Sequence, residues 1–553
     1  MDNVMPVPTL ILSVELSEVE RLRQLVREQQ QQIQVQQETI EQLESQLKQQ
    51  GERIEQLEAE LRAQKKLKGK PKLKASQLNE APAPTEPVDG KRAGSVKRSK
   101  KPGFTIDQEI VVQPDEIPTG AKFNGYRPYD VQEIELKRHN IRFQLAEYVN
   151  EDGTTVVGEL PKAYRGSHYG PKLVSYILHQ HYHCRVPQPL IYEQLQEFGI
   201  DISVGQINRL LTEGKEPFHQ EQQQVLRVGL ETATYIHTDD TGARHQGQNG
   251  YCTVIGNEWF AYFSSRRSKS RRNFLEVLQG ASFSYVLNED AKRYLESQGL
   301  AAKYWQTLNF SETVLAVEAS QWQDYLSGLG IVSAKAVRVV TEAALLGGLM
   351  AQGIGGNLRI LSDGAGQFNL LLHGLCWVHA ERSLRRLQGN TKQQRQNIAE
   401  MQDLLWQYYR QLQQYRLAPT AEAKTTLDQE FDQIFGRCYR HHATLNIVLS
   451  QFRDHKAELL QVLDCPQLPL HNNSAETDIR EYVTRRKISG GSRSEAGRRA
   501  RDTFVGLKKT CRKLGISFWQ YLLSRLRGDD LIPPLPDVIR AKASERSQVV
   551  TPT

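Results

Sequence analysis

Between residues 19 and 61 an apolar side chain returns every seven residues: Val19, Val26, Ile33, Ile40, Leu47, Ile54 and Leu61 hold one heptad position, and Leu22, Leu43 and Leu57 the other. That spacing lays an apolar seam along a helix and predicts a coiled coil over 14–63 that pairs copies of the chain into a homo-oligomer. Frequent β-branched residues at the first position favour two strands, while Gln29, Gln36 and Gln50 at the second weaken the seam. Over 64–104 large apolar residues thin out among Lys, Pro, Ala and Gly, the composition of a basic disordered linker. Residues 105–162 alternate short apolar and polar runs around the turn Glu151-Asp152-Gly153-Thr154, which predicts a small β-module containing a hairpin. Helical periodicity returns over 163–222, where "PQPLIYEQLQEFGIDISVGQINRLLTEG" predicts two short helices about "FGIDIS". This is a helix-turn-helix-like DNA-binding region with its second helix at about Val204 to Thr212, although helical hairpins that never meet DNA share the pattern.

Further along, two strand-like runs each end in an acid. "TATYIHT" leads into Asp239 and Asp240, and "GGNLRILS" into Asp363 with Gly behind it. Asp and Gly both favour turns, so each site alone reads as a turn; carboxylates at strand ends also hold hard divalent cations. Glu476 falls in the first turn of a helix that Asn473 or Ser474 can cap, with Arg480 one turn on along the same face. Two Asp at strand ends and one Glu on a helix are the donor set of two-metal phosphoryl transfer, in which the ions stand about 3.5 to 4 Å apart. With 64 acidic residues in the chain, spacing alone selects no triplet. The segments 281–345 and 380–465 read as mostly helical insertions. Ala500, Phe504, Leu507, Cys511 and Leu514 form a helical stripe expected to pack onto the sheet.

Charge sharpens the partner. The 553 residues carry a formal +7, yet residues 64–102 hold twelve Lys/Arg against three Asp/Glu, and residues 480–513 hold the same numbers again. Basic residues gathered into two stretches suit a polyanion, with nucleic acid the leading candidate. Six scattered cysteines without a Cys-x-x-Cys pair fit a reducing cytosol, and His179, His181, His183 and Cys184 lack a second ligand pair for zinc. With no run of about 18 apolar residues and no basic leader, the expectation is a soluble cytoplasmic protein without a membrane partner.

The flanking sequence supplies the missing context. "HTDDTGAR", "LSDGAGQFNLLLHGLCWVHAERSLRRL" and "HNNSAETDIREYVTRRKISGGSRSEAGRRARDTFVGLKKTCRKLGISFWQYL" resemble, in order, the three catalytic blocks of DDE transposases of bacterial insertion sequences, above all the insertion sequence sixty-six family. The resemblance runs from about residue 155 to 525. It implies an α/β, RNase H-like catalytic core over 223–525 with helical insertions, followed by a tail at 526–553. It implies catalytic and metal-binding acids Asp239, Asp363 and Glu476, two Mg²⁺ or Mn²⁺ ions, and Asp240 in place of the family's Glu. Cys376 and His379 match the family's Cys-x-x-His and would support the site. Arg480, Arg485, Arg486, Lys487, Arg493 and Arg498 would lie where the phosphates of double-stranded DNA pass. The implied activity is metal-dependent cleavage at element ends and strand transfer to target DNA, close to the nucleoid, with accessory proteins of the element as candidate partners. A nuclease without strand transfer would use the same acids. An inactive transposase-derived regulator is the other alternative, and intact acids at all three positions argue against it. The Cys-x-x-Cys zinc module that many family members carry after the coiled coil is missing here.

Overall fold

The computed structural model describes residues 105–549 and, before them, positions 26, 29–34 and 36, which are helical and exposed. Most of the expected coiled coil and the whole basic linker lie outside the described residues. The chain divides into two units, 1–132 and 133–553. In the first, residues 105–132 are exposed and carry no helix or strand.

The second unit opens with the expected hairpin. Strands β1 (Glu147–Val149) and β2 (Thr155–Val157) pair antiparallel, and Asp152 closes the turn by accepting from Thr154 N at 2.9 Å and Thr154 Oγ1 at 2.6 Å. Gly153 sits at φ +83°, a left-handed position that suits glycine. Both strands are exposed on both faces, and this hairpin is the whole sheet content of 105–162 among the described residues.

Helices Pro171–Leu178, Gln188–Glu197, Val204–Thr212 and Glu216–Thr232 follow. Ser203 caps the third through Gln206 N, and Ile177, Ile191, Leu195, Ile207 and Leu211 are fully buried. The run His179–His183 makes a single π-turn in which His179 and His183 stack at 4.4 Å.

The central sheet joins β3 (Tyr235–His245), β4 (Gln248–Gly256) and β5 (Ala261–Arg266), and after the insertion carrying β6 (Tyr285–Val286) and β7 (Val314–Ala316), it adds β8 (Arg359–Ser362) and β9 (Leu372–Leu375). Its order is β5-β4-β3-β8-β9. The pairs β5–β4 and β4–β3 are antiparallel, whereas β3–β8 and β8–β9 are parallel. Ile236, Val254, Ile255 and Ile360 are fully buried, and Thr238 is satisfied by donating to Val254 O at 2.9 Å. Parallel strands need crossovers, and the one from β5 to β8 carries the first insertion.

That insertion is helical apart from the β6–β7 pair, with helices Glu289–Ser297, Ala319–Gly328 and Ala334–Ala351. The last presses so closely on β6 that a Cβ on Gly347 or Gly348 would meet the carbonyls of Val286 and Ser284. The second insertion is wholly helical: Lys392–Leu417, Ala421–Phe435 and Ala443–Asp454 surround the buried Trp377, whose indole donates to Leu459 O at 3.0 Å.

Helix Glu495–Leu514 is enclosed on two sides. Its expected stripe is buried, but Phe504 stacks on Tyr182 at 4.5 Å and packs on Phe218 at 5.0 Å, both of the N-terminal helices. The sheet side is instead held by Asp502, which accepts from Ser265 N, and by Thr510, which accepts from Ala261 N. The expected tail is structured too: helix Leu535–Val549 buries Leu535 and Ile539, and Leu535 N donates to Glu221. All six cysteines are free, and among the described residues no helix is long and apolar enough to cross a membrane.

Candidate active site

The two strand-end acids meet through register. β3 and β8 run parallel with His237 opposite Leu361, so continuing two residues brings Asp239 level with Asp363. Neighbouring strands lie about 4.8 Å apart, which makes the two acids neighbours at one end of the sheet. Successive strand residues face opposite sides, and the adjacent pair separates accordingly. Asp239 Oδ1 accepts from Asp240 N at 2.8 Å, whereas Asp240 Oδ2 accepts from Gln367 Nε2 at 2.6 Å and its Oδ1 lies 3.9 Å from Lys269 Nζ. Asp363 is exposed, and its Oδ1 takes Ala365 N at 3.0 Å.

Glu476 arrives on helix Asn473–Ser489, and the helix is sewn to the sheet just before its first residue. Asn472, not Asn473 or Ser474, occupies the N-cap position, and it makes no side-chain cap. Its Nδ2 donates to Thr238 O at 2.8 Å, one residue before Asp239, and its backbone N donates to Cys376 Sγ at 3.2 Å. Cys376 N in turn donates to Ser362 O, one residue before Asp363. Cys376 therefore links the end of β8 to the start of the helix, through its backbone N on one side and its buried thiol, pushed up by burial, on the other.

Electrostatics record the convergence. Burial first, then the charges of Asp363, Asp240 and Glu476, push the Asp239 carboxyl up to about 7, against the hydrogen bond from Asp240 N. Like charges gathered in a half-buried site raise one another in this way. Glu476 is meanwhile held by two guanidinium groups, with Oε1 3.6 Å from Arg382 Nη2 and Oε2 3.4 Å from Arg480 Nη2, and His379 Nε2 lies 3.8 Å from Oε1. Arg382 also approaches His379 Nε2 at 2.6 Å, and burial, then that guanidinium, pushes the imidazole down. Among the described residues no three His, Cys, Asp or Glu side chains form a ready-made metal cage. The three acids nonetheless offer hard oxygen donors, the chemistry that Mg²⁺ and Mn²⁺ select.

The basic residues on and after the Glu476 helix divide into two groups. Arg480, Lys487 and Arg493 are exposed. Arg486 donates to Gly242 O, and Arg498 to Ser265 O at 3.1 Å, both half-buried. The expectation for Arg485 is corrected: it is 2 % exposed, donates to His181 O and lies over the Tyr182 ring at 5.2 Å. No phosphate reaches it there.

Sequence reasoning also missed why the stretch is so basic. Lys513 Nζ and Lys509 Nζ reach Asp478 at 2.8 and 3.4 Å, and Lys508 and Arg185 each reach Glu481 at 2.8 Å. His237 Nε2 stands 3.5 Å from Asp478, tying the underside of the Glu476 helix to β3. The acids at i and i+3 on that helix were the available signal, since buried cations need such partners.

Comparison with known proteins places the chain in a family. The sequence pattern described as Transposase IS66 family matches residues 166–293 and 350–500, thereby spanning all three acids and passing over most of the first insertion. The uncharacterized protein y4jO of Sinorhizobium fredii is 41% identical over 322 residues, covering 58% of this chain and all of that protein. This chain belongs to the IS66 family of transposases.

Proposed function

We propose that this transposase is a DDE enzyme with an RNase H-like core, acting on the ends of its element by cleavage and strand transfer. The observation that carries the reading is the parallel register of β3 and β8, which brings Asp239 level with Asp363 while Asn472 holds the Glu476 helix to the same strand end. Three antiparallel strands followed by two parallel ones, with an acid on the first strand and another after the fourth, support the RNase H-like assignment.

Asp239, Asp363 and Glu476 would hold the divalent ions. Bound Mg²⁺ or Mn²⁺ supplies Lewis acidity that activates a water or 3′-hydroxyl and stabilises the leaving oxygen. The chain's own residues do the rest. Arg480 beside Glu476, Lys487 further along the same helix and Arg493 beyond its end would offer exposed cations to the DNA backbone. Helix Val204–Thr212 leaves Asn208 and Arg209 exposed, the polar face a recognition helix needs in a major groove. Asp240, tied to Gln367, orients the loop after Asp363 rather than sharing the ligand set. The heptads at 14–63 would pair protomers so that two ends are handled together.

The test is a labelled duplex bearing the element end, incubated with the full-length protein and Mg²⁺ beside Asp363→Ala. Nicking at the element boundary and joining to target DNA, both lost in the variant, are expected. Nicking without joining when a target and a 3′-hydroxyl end are supplied would point to a nuclease, and tight binding without nicking would overturn the catalytic reading.

A further inference from the structure

The loop that follows Asp363 is held from outside the sheet. Gly366 O accepts from Arg271 Nη2 at 2.7 Å, and Arg271 stands at the first position of helix Arg271–Gln279, which Ser270 caps. The other guanidinium nitrogen, Nη1, donates to Tyr294 Oη at 3.1 Å, and Tyr294 Oη donates to Glu342 Oε2 at 2.9 Å. Tyr294 and Glu342 belong to the first insertion and are 8 % and 2 % exposed. Both fall between residues 293 and 350, the part of the chain that the family's sequence pattern passes over. A second contact runs beside the first: Phe274 packs edge-on against Phe368 at 5.0 Å.

From these contacts we infer that the first insertion positions the catalytic loop, with Arg271 as the positioning residue that connects buried Glu342 and Tyr294 to the loop carrying Asp363. The inference rests on Asp363 being a catalytic acid. Only six residues, 363–368, contain Asp363, the Gly366 carbonyl, Gln367 on Asp240, and Phe368 on Phe274. Gly364, at φ +96°, leaves the start of this short loop conformationally permissive, so its shape depends on what holds its far end. Arg271 suits the task because one planar guanidinium donates in two directions at once, to the carbonyl and to the phenol. Burial, followed by the Glu342 charge, pushes Tyr294 up to about 12, so the phenol keeps its proton and continues to donate to Glu342. The insertion is itself attached to the helix that carries Arg271, since Gln279 Nε2 at the end of that helix donates to Leu345 O of the insertion's last helix at 2.6 Å.

The experiment uses the full-length protein and compares wild type with Arg271→Ala, Arg271→Lys and Tyr294→Phe. Two measurements are made: hydrogen–deuterium exchange of peptides over 363–370, and the nicking rate of an element-end duplex with its dissociation constant. The inference expects faster exchange at 363–370 in Arg271→Ala and, more weakly, in Tyr294→Phe, with β3 and helix Asn473–Ser489 unchanged. It expects a fall of about 100-fold in nicking rate for Arg271→Ala at unchanged DNA affinity, with partial recovery in Arg271→Lys. Unchanged loop exchange overturns it whatever the rates do, as does faster exchange with wild-type nicking. General loss of protection across the sheet would show a merely structural role, and Tyr294→Phe, which removes one hydroxyl, then provides the decisive comparison. If wild type itself fails to nick while loop exchange responds as expected, the catalytic reading fails and the mechanical link from insertion to loop stands.

Discussion

Asn472 concentrates the geometry of the site into one side chain. Its amide donates to Thr238 O at 2.8 Å within a buried environment, and Asn472→Ala leaves that carbonyl without this donor. An unsatisfied buried group costs about 1–3 kcal/mol, which sets the expected loss of stability in urea titration. The catalytic loss should be larger. Glu476 is four residues on, and a helix start released from β3 displaces its carboxylate relative to Asp239 and Asp363. A misplacement of about 1 Å costs about 100-fold in rate. The assay is single-turnover nicking of an element-end duplex at a temperature where both proteins are folded, with end binding measured in parallel. Binding is expected to hold while the rate falls by about two orders of magnitude. A variant that loses stability but nicks at the wild-type rate would refute the idea that Asn472 sets the position of Glu476.

Other residues yield independent tests. Asp478→Ala strands buried Lys513 and Lys509, so denaturation should register a loss of about 3–5 kcal/mol, with Asp478→Asn intermediate. Burial alone would push the Glu481 carboxyl up, but hydrogen bonds from Arg185 and Lys508 bring it down to about 2. The stability from that pair is complete above the ordinary carboxylate range and should disappear as pH falls from about 4.5 toward 2; equal acid sensitivity in Glu481→Gln would contradict this. Because burial and neighbouring acids push Asp239 up to about 7, a proton competes for the site below that pH. The Mg²⁺ concentration for half-maximal nicking should rise about tenfold per pH unit lost below 7 and level off above it; a flat profile would contradict the shift. Finally, Arg480→Ala, Lys487→Ala and Arg493→Ala should each lower the salt dependence of end binding by about one phosphate contact, whereas Arg485→Ala should reduce stability and leave that slope unchanged.

The elements that the sequence determines by itself are those set by short-range pattern. Alternation and turn chemistry are enough for the hairpin about Asp152, and a capped amphipathic run is enough for Val204–Thr212. The three acids stand out through the residues beside them, and the inserted helices through their periodicity. Tertiary structure decided what the local pattern leaves equal. Lys487 and Arg485 are both basic and two residues apart, yet one meets solvent and the other the Tyr182 ring, because a helix turns about 100° per residue and only packing chooses the inward face. Lys508, Lys509 and Lys513 look like a polyanion surface until Asp478 and Glu481 are seen beneath them. Asn472 and Arg271 have no signature of their own, since each acts by reaching a carbonyl distant in sequence. The union of Asp239 with Asp363 likewise depends on a parallel register, and the strands that share it are separated by a whole insertion.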